Sequence, residues 1–179
     1  MGMPEVGEMI ERFAARHGLD TIGIEVREGE VSRTWTVAPG MACATYARGM
    51  DDLATLALAL HEVGHALYRA SLGVGGDPPR WCDEAAAAWA VRALEDPALI
   101  ADAGTRAEAR RRRRVREAVT ARLAAFEARV MSGEPVQEVW PAELDPAAYP
   151  ALFEEPGVMA AYAAADRWPA RIVPRKVRA

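Results

Sequence analysis

The chain has 179 residues and is 51% apolar, so it can bury a core as one domain spanning 1–179, and extensive disorder is excluded. Its 26 acidic and 22 basic residues leave a net charge of −4, which argues against a general nucleic-acid binder. The two cysteines, Cys43 and Cys82, cannot form the disulfide framework of a small secreted protein.

An amphipathic stretch that ends at Gly18 predicts the first helix, and short stretches of alternating β-branched residues predict three strands after it. The predicted strands lie at 21–27, 32–37 and 43–47. The first two are expected to pair as a hairpin across the turn at Glu28. Helical signals dominate the remaining chain. The predicted helices lie at 5–18, 51–71, 84–95, 105–133 and 157–166.

Individual acidic, hydroxyl and proline residues predict where several of these helices begin. Asp51 opens the second helix, Asp83 caps the third, and Pro97 starts a short helix of its own. Thr105 and Glu108 have the spacing of a capping box at the start of the long helix. Because the strands precede most of the helices, we expect an α+β fold. Its helices would pack on one face of a small antiparallel or mixed sheet.

No segment of the chain predicts export or membrane insertion. The first residues lack the basic start and the apolar run of a signal peptide, and the longest apolar run is too short to span a bilayer. We therefore expect a soluble cytoplasmic protein with no membrane partner.

Within residues 53–67 of the second helix, the strongly polar side chains are His61, Glu62 and His65, and the rest of this stretch is apolar on nearly all sides. Such a helix is buried, and burying polar groups without partners costs about 2–7 kcal/mol for each group. A metal cation would compensate. Residues four apart share a helix face, so both imidazoles can bind one ion, whereas Glu62 lies about 100° away and can contact a water on that ion. Two histidines satisfied by backbone and carboxylate groups are the alternative.

A catalytic zinc site usually has a third protein ligand. The one other histidine in the sequence is His17, which lies upstream, so we expect a carboxylate to serve. Glu84 follows His65 with 18 residues between them and lies among alanines that permit close helix packing. Asp83 and Glu95 are the alternative ligands.

The motif and Glu84 together resemble the gluzincin branch of zinc metallopeptidases. Residues 38–70 are similar to oligoendopeptidases and Taq-type carboxypeptidases, and the alanine-rich helix after the motif also resembles the regulatory proteases of the ImmA/IrrE type. The resemblance implies a zincin-like minimal catalytic domain that binds Zn²⁺. In those families the two motif histidines and a glutamate hold the zinc, which corresponds here to His61, His65 and Glu84. The motif glutamate is the general base, which corresponds to Glu62.

The same resemblance implies the hydrolysis of peptide bonds in a peptide or protein substrate through a metal-activated water. A downstream tyrosine that donates to the oxyanion would be Tyr162, with Tyr149 as the alternative. An edge strand that pairs with substrate would be 43–47. The chain departs from the thermolysin-like pattern at Ala88, where those enzymes carry an aspartate, so the support for a ligand must come from another residue.

Two other functions stay open at this point. The protein could be a catalytically silent, zinc-stabilised domain that binds a partner protein, or a regulatory protease with one dedicated substrate. Residues 134–179 form a predicted C-terminal extension, which either completes the core or covers the cleft.

Two further features have ordinary structural interpretations. Five consecutive arginines at 110–114 are expected to form a solvated helix surface paired with Glu108 and Glu117, rather than a nucleic-acid patch. Gly64 costs about 1 kcal/mol relative to alanine inside a helix. It therefore indicates tight packing, with the sheet or a substrate strand lying close behind the metal.

Overall fold

The structure, a computed structural model, describes residues 3–72, 78–149 and 157–167. It is an α+β protein in which helices predominate over one small mixed sheet, as the order of the sequence signals predicts. The helices are α1 (Val6–His17), α2 (Asp52–Leu72), α3 (Arg80–Val91), α4 (Ala103–Met131), α5 (Val136–Val139) and α6 (Val158–Arg167). The strands are β1 (Ile24–Glu28), β2 (Arg33–Ala38) and β3 (Met41–Tyr46).

The predicted hairpin between the first two strands is wrong. The sheet order is β1-β3-β2, with β2 antiparallel and β1 parallel to the central strand β3. The hairpin instead joins β2 to β3 through Pro39 and Gly40, and Gly40 has a φ of 77°, which suits a glycine in a tight turn. Because β1 and β2 flank β3 on both sides, the strand predicted at 43–47 is not an edge and cannot pair with a substrate strand.

One face of the sheet packs on α2. Ala42 and Ala44 of β3 meet Ala66 of α2, and Ile24 and Val26 of β1 flank them. Alternate residues of a strand point to the same face, and small side chains at these positions let the helix approach the sheet closely. The sheet therefore supports the helix that carries the histidine motif.

The main core lies around α2. Asp51 accepts a hydrogen bond from the Ala54 amide at 2.8 Å, so α2 begins at the acids that the sequence indicates. Fully buried apolar side chains on α1 and α2 form the centre of this core. They include Met9, Phe13, Leu56 and Leu60.

Two predicted helix starts differ from the structure. The third helix begins at Arg80, directly after Pro79, so Asp83 lies inside the helix instead of capping it. It ends at Val91 and continues as the 3-10 turn Arg92–Glu95. Pro97 does not start a helix, because the Asp96 side chain accepts from the Ala98 amide at 2.8 Å and closes a local turn.

The predicted capping box of the long helix is also wrong. The cap is Asp102, whose side chain accepts from the Thr105 amide at 2.6 Å. Glu108 points instead to arginines one turn further along. The end of α4 near Gly133 and the helix predicted at 157–166 are confirmed.

The arginine run lies on α4 and makes the predicted ion pairs along the helix. Those pairs are Arg111–Glu108, Arg112–Glu108 and Arg113–Glu117. Arg112 also contacts Asp51 at 2.7 Å, and Arg113 contacts Glu95 at 2.5 Å. The run therefore also links α4 to the start of α2 and to the turn after α3.

The described parts of the C-terminal extension, 134–149 and 157–167, pack mainly on α4 and α3. Buried side chains of α4, α5 and α6 form a second apolar cluster: Leu123, Phe126, Val139, Val158 and Met159. The buried carboxylate of Glu127 accepts from the amides of Gly157 and Ala160, which fixes the start of α6. Two further aromatic residues of the extension, Phe153 and Trp168, lie outside the described residues. Among the helices of the described ranges, none combines the length and apolar character that crossing a membrane requires.

Candidate metal centre

The candidate metal centre lies where the backbones of α2 and α3 are in direct contact. Gly64 lies so close to α3 that a Cβ atom there would be 2.6 Å from the Ala86 carbonyl oxygen and from the Ala87 Cα. The facing residues of α3 are buried alanines. The close approach that Gly64 predicts is therefore the approach of α3, not of the sheet or a substrate strand. This contact brings Glu84 to the histidines.

His61, His65 and Glu84 converge on one point. The two Nε2 atoms lie 3.1 Å apart, and each is 3.7 Å from Glu84 Oε2. Nitrogen and oxygen ligands on one tetrahedral zinc, at bond lengths of about 2.0–2.2 Å, lie about 3.3–3.5 Å from one another. The three side chains could therefore hold a metal ion, as the sequence predicts for this trio.

The Glu84 carboxylate is buried at the point where the three side chains meet. Its Oε2 atom is buried and has no hydrogen-bond partner. Burial is the main reason why the pKa of Glu84 rises to about 7. A cation between this oxygen and the two imidazoles would offset the cost of burying the oxygen without a hydrogen-bond partner. The residues present therefore fit a metal.

The His61 imidazole is suited to ligation. Burial, followed by the charge of His65, lowers the pKa of His61 well below its usual range, which favours the neutral form that binds metals. The rings are almost perpendicular, at 86°. His61 is the more exposed ring, with 23% of its side chain accessible, so the centre is open to solvent on that side.

Asp83 supports a ligand and is not itself one of the three converging ligands. Its Oδ1 lies 3.1 Å from His65 Nδ1, and its Oδ2 accepts from Arg69 Nη2 at 2.7 Å. Burial alone would lower the pKa of His65, but the hydrogen bond and charge of Asp83 outweigh it and raise that pKa. Burial likewise opposes ionisation of Asp83, yet the contacts with His65 and Arg69 lower its pKa. Glu95, the other alternative ligand, pairs with Arg113.

Glu62 is buried on α2 and stands outside the three-residue ligand group, as its position on the helix predicts. The Thr34 hydroxyl on β2 donates to Glu62 Oε2 at 2.7 Å. It also lies 3.1 Å from the Glu62 carbonyl oxygen. Burial raises the pKa of Glu62, and the Thr34 hydrogen bond opposes that rise. One carboxylate oxygen is therefore anchored to the sheet.

The two candidate tyrosines lie in different surroundings. Tyr162 on α6 places its hydroxyl beside Glu84 and Arg80, and burial followed by the charge of Glu84 raises its pKa to about 12. Tyr149 packs against the apolar cluster of α4, α5 and α6. Of these two residues, Tyr162 is the one with an electrostatic contact to the centre.

The charges of the centre are unbalanced in favour of a cation. Glu62, Asp83 and Glu84 are buried carboxylates, and Arg69 contributes one positive charge through its contacts with Asp83. With neutral histidines and ionised carboxylates, the three carboxylates and Arg69 carry two negative charges, and Arg80, whose charge acts on Glu84, reduces this to one. A cation would offset the remaining negative charge.

No protein-family model matches the chain, and no curated protein or solved structure matches it.

Sequence reasoning missed two residues that support the centre, Thr34 and Arg69. Arg69 follows His65 by four residues, as His65 follows His61, so the helical period places all three on one face. That signal was available in the sequence. Thr34 lies on a strand far along the chain, and only the packing of β2 on α2 brings it to Glu62.

Proposed function

We propose that this protein is a zinc-dependent peptidase. The observation that carries the proposal is the buried, unpartnered Oε2 of Glu84, which meets two imidazole nitrogens. Two histidines and one carboxylate form a ligand set of catalytic zinc sites, and such sites keep a further position open. His61, His65 and Glu84 would hold the ion, while Glu62 stands beside them, held by Thr34.

Each residue of the centre has a separate task in this proposal. When bound, the ion would activate a water molecule and polarise the scissile carbonyl group. Glu62 would accept a proton from the attacking water and deliver it to the leaving amine. Its pKa, raised by burial, suits a group that both takes and returns a proton. The substrate would be a peptide or a protein.

Tyr162 is the proposed donor to the oxyanion that develops on the substrate. Its hydroxyl lies beside the Glu84 carboxylate, and its raised pKa keeps the phenol protonated and able to donate. The Tyr162→Phe variant should retain zinc and lose most turnover. Unchanged turnover in that variant would remove Tyr162 from the mechanism and leave the metal site intact.

Metal content and peptide cleavage test the proposal together. We expect about one zinc per chain in the wild type and in Glu62→Gln, and much less in Glu84→Gln. The matched control is Glu95→Gln, which changes a carboxylate that pairs with Arg113 and should retain the metal. Digestion of a peptide library should yield products with the wild type and none with Glu62→Gln.

The possible results separate the alternatives. Absence of zinc from the reconstituted wild type would contradict the proposal. Full turnover in Glu62→Gln would contradict the assigned base. Zinc binding through Glu84 without any cleavage would instead favour a zinc-stabilised domain that binds a partner protein.

A further inference from the structure

We propose that Arg69 is a positioning residue of the metal centre, because one guanidinium group holds a histidine ligand through Asp83 and the general base through β2. This inference rests on the proposed function, since it assigns Arg69 a task within the same site. A guanidinium group carries no lone pair for a metal, so Arg69 is not itself a ligand. It acts through the residues that it contacts.

Arg69 makes two sets of hydrogen bonds, or arms, and the first arm reaches His65 through Asp83. Arg69 Nη2 and Nε donate to Asp83 Oδ2 at 2.7 and 3.1 Å, and Asp83 Oδ1 faces His65 Nδ1 at 3.1 Å. An ionised carboxylate can only accept, so the proton of the neutral imidazole lies on Nδ1. The lone pair is then on Nε2, which points toward His61 and Glu84. Arg69 thereby fixes both the tautomer and the orientation of this ring.

The second arm reaches the general base through the sheet. Arg69 Nη1 donates to the carbonyl oxygen of Thr34 at 3.0 Å. The hydroxyl of the same threonine donates to Glu62 Oε2 at 2.7 Å. The two arms run from one guanidinium group, so the position of β2 against α2 and the position of Asp83 against α2 are coupled. A shift of Arg69 would move the ligand and the base together.

The shape of the arginine side chain matters as well as its charge. Arg69 uses three nitrogen atoms to donate to Asp83 and to Thr34, which lie in different elements. A guanidinium is a planar fork with donors in fixed directions, whereas an ammonium is a compact charge on a flexible stem. Lysine at this position would keep a positive charge near Asp83 but could not reproduce both arms.

Arg69→Lys is the variant that tests this proposal. We expect its zinc dissociation constant, measured by competition with a chelator, to rise roughly 10–100-fold. Visible absorption of the Co²⁺-loaded protein should change in band position and intensity, because the His65 ring is no longer held in one orientation. Asp83→Asn removes the charge of the intermediate group and should change both measurements in the same direction.

Arg113→Lys is the matched control. Arg113 is buried to the same degree as Arg69, with 18% against 19% of the side chain exposed, and it also forks onto a carboxylate, that of Glu95. The control should lower the thermal midpoint while leaving zinc affinity and the Co²⁺ spectrum at wild-type values. A purely structural role for Arg69 would give the same pattern as the control.

Two results overturn the inference in distinguishable ways. Wild-type zinc affinity and an unchanged Co²⁺ spectrum in Arg69→Lys would reject the role of Arg69 and leave the peptidase proposal standing. If Arg69→Lys fails to fold, the same unchanged values in Asp83→Asn reject it. Failure of the wild type to bind either metal would overturn the proposed function and this inference together.

Discussion

Gly64 of α2 lies against the backbone of Ala86 in α3, at a distance that leaves no room for a side chain. A Cβ atom on Gly64 would meet backbone atoms, which cannot rotate away as the end of a flexible side chain can. The two helices can thus be this close only with glycine at this position. The distance between Glu84 and the two histidines depends on the same contact.

Gly64→Ala should therefore destabilise the fold and weaken the metal site at once. Alanine is the better helix former by about 1 kcal/mol, but separation of α2 from α3 should outweigh that gain and give a net loss of about 1–3 kcal/mol. Urea unfolding measures the loss, and chelator competition measures the accompanying fall in zinc affinity.

Gly7→Ala provides the matched control for this substitution. Gly7 lies in α1, and a Cβ atom there would have no neighbour within 4 Å. It should increase stability by about 0.4–1 kcal/mol and leave zinc affinity unchanged. Equal stabilisation by both substitutions would show that α2 and α3 do not require the close contact.

Thr34→Val tests the contact between the sheet and the general base. Valine keeps the shape and β-branching of threonine but removes the hydroxyl that donates to Glu62 at 2.7 Å. We expect zinc affinity to stay at the wild-type value and kcat to fall roughly tenfold, because the carboxylate is no longer oriented. Steady-state kinetics on a cleaved library peptide would measure this change.

Thr34→Ser should restore most of the lost turnover, since serine supplies the same donor. Thr36→Val, two residues further along β2, removes a hydroxyl from the same strand and should change kcat little. A loss of turnover that is equal in Thr34→Val and Thr36→Val would assign the effect to the strand rather than to the hydrogen bond.

Local signals predicted those parts of the molecule whose partners lie close in sequence. The helix that carries His61 and His65 is set by its apolar run, and the helical period places both rings on one face. Glu84 was predictable because it follows His65 with 18 residues between them and lies among alanines that permit close helix packing. These signals correctly brought the three converging residues together.

Contacts between distant segments were not predictable in the same way. The turn at Glu28 and the turn at Gly40 are both valid hairpin signals, and the packing of β3 between two strands decides between them. Asp83 looked like a helix cap because its partners, His65 and Arg69, belong to another helix. Asp102 caps α4, and Glu108 pairs with arginines one turn away instead of completing a capping box with Thr105.

Glu127 should control how firmly α6 is held near the metal centre. Its buried carboxylate accepts from the amides of Gly157 and Ala160, at 2.7 and 3.0 Å. Glu127→Ala leaves those amides without their partner, which should cost about 1–3 kcal/mol. Amide hydrogen exchange should then accelerate in α6, while α2 stays protected.

Glu134→Ala is the control for the loss of a carboxylate at this end of the molecule. Glu134 pairs with Arg129 on the surface, and both side chains are largely exposed. Its removal should cost less than about 1 kcal/mol and leave exchange in α6 unchanged. Unaltered exchange of α6 in Glu127→Ala would mean that apolar packing alone holds this helix.

Zinc binding should weaken as the pH falls through neutrality. The pKa of Glu84 in the metal-free protein is about 7, chiefly because of burial, so a proton occupies this ligand at lower pH and must leave when the metal binds. His65, whose pKa is raised by Asp83 despite burial, adds a second competing proton. Dissociation constants measured by chelator competition across this range should rise toward acid, and a constant affinity would contradict the assignment of Glu84 as a ligand.

The same pKa gives the metal-free protein an opposite dependence of stability on pH. The folded pKa of Glu84 lies above its ordinary value of 4.5, so the native state binds more protons than the unfolded state between 4.5 and about 7. The contribution of this group to the free energy of unfolding therefore falls as the pH rises through that window. Without metal, Glu84→Gln should be more stable than the wild type above neutral pH, on the order of 1–3 kcal/mol, because it carries no buried charge. Urea unfolding at alkaline pH with and without zinc measures this; added zinc should reverse the order, because it stabilises the wild type and not the variant.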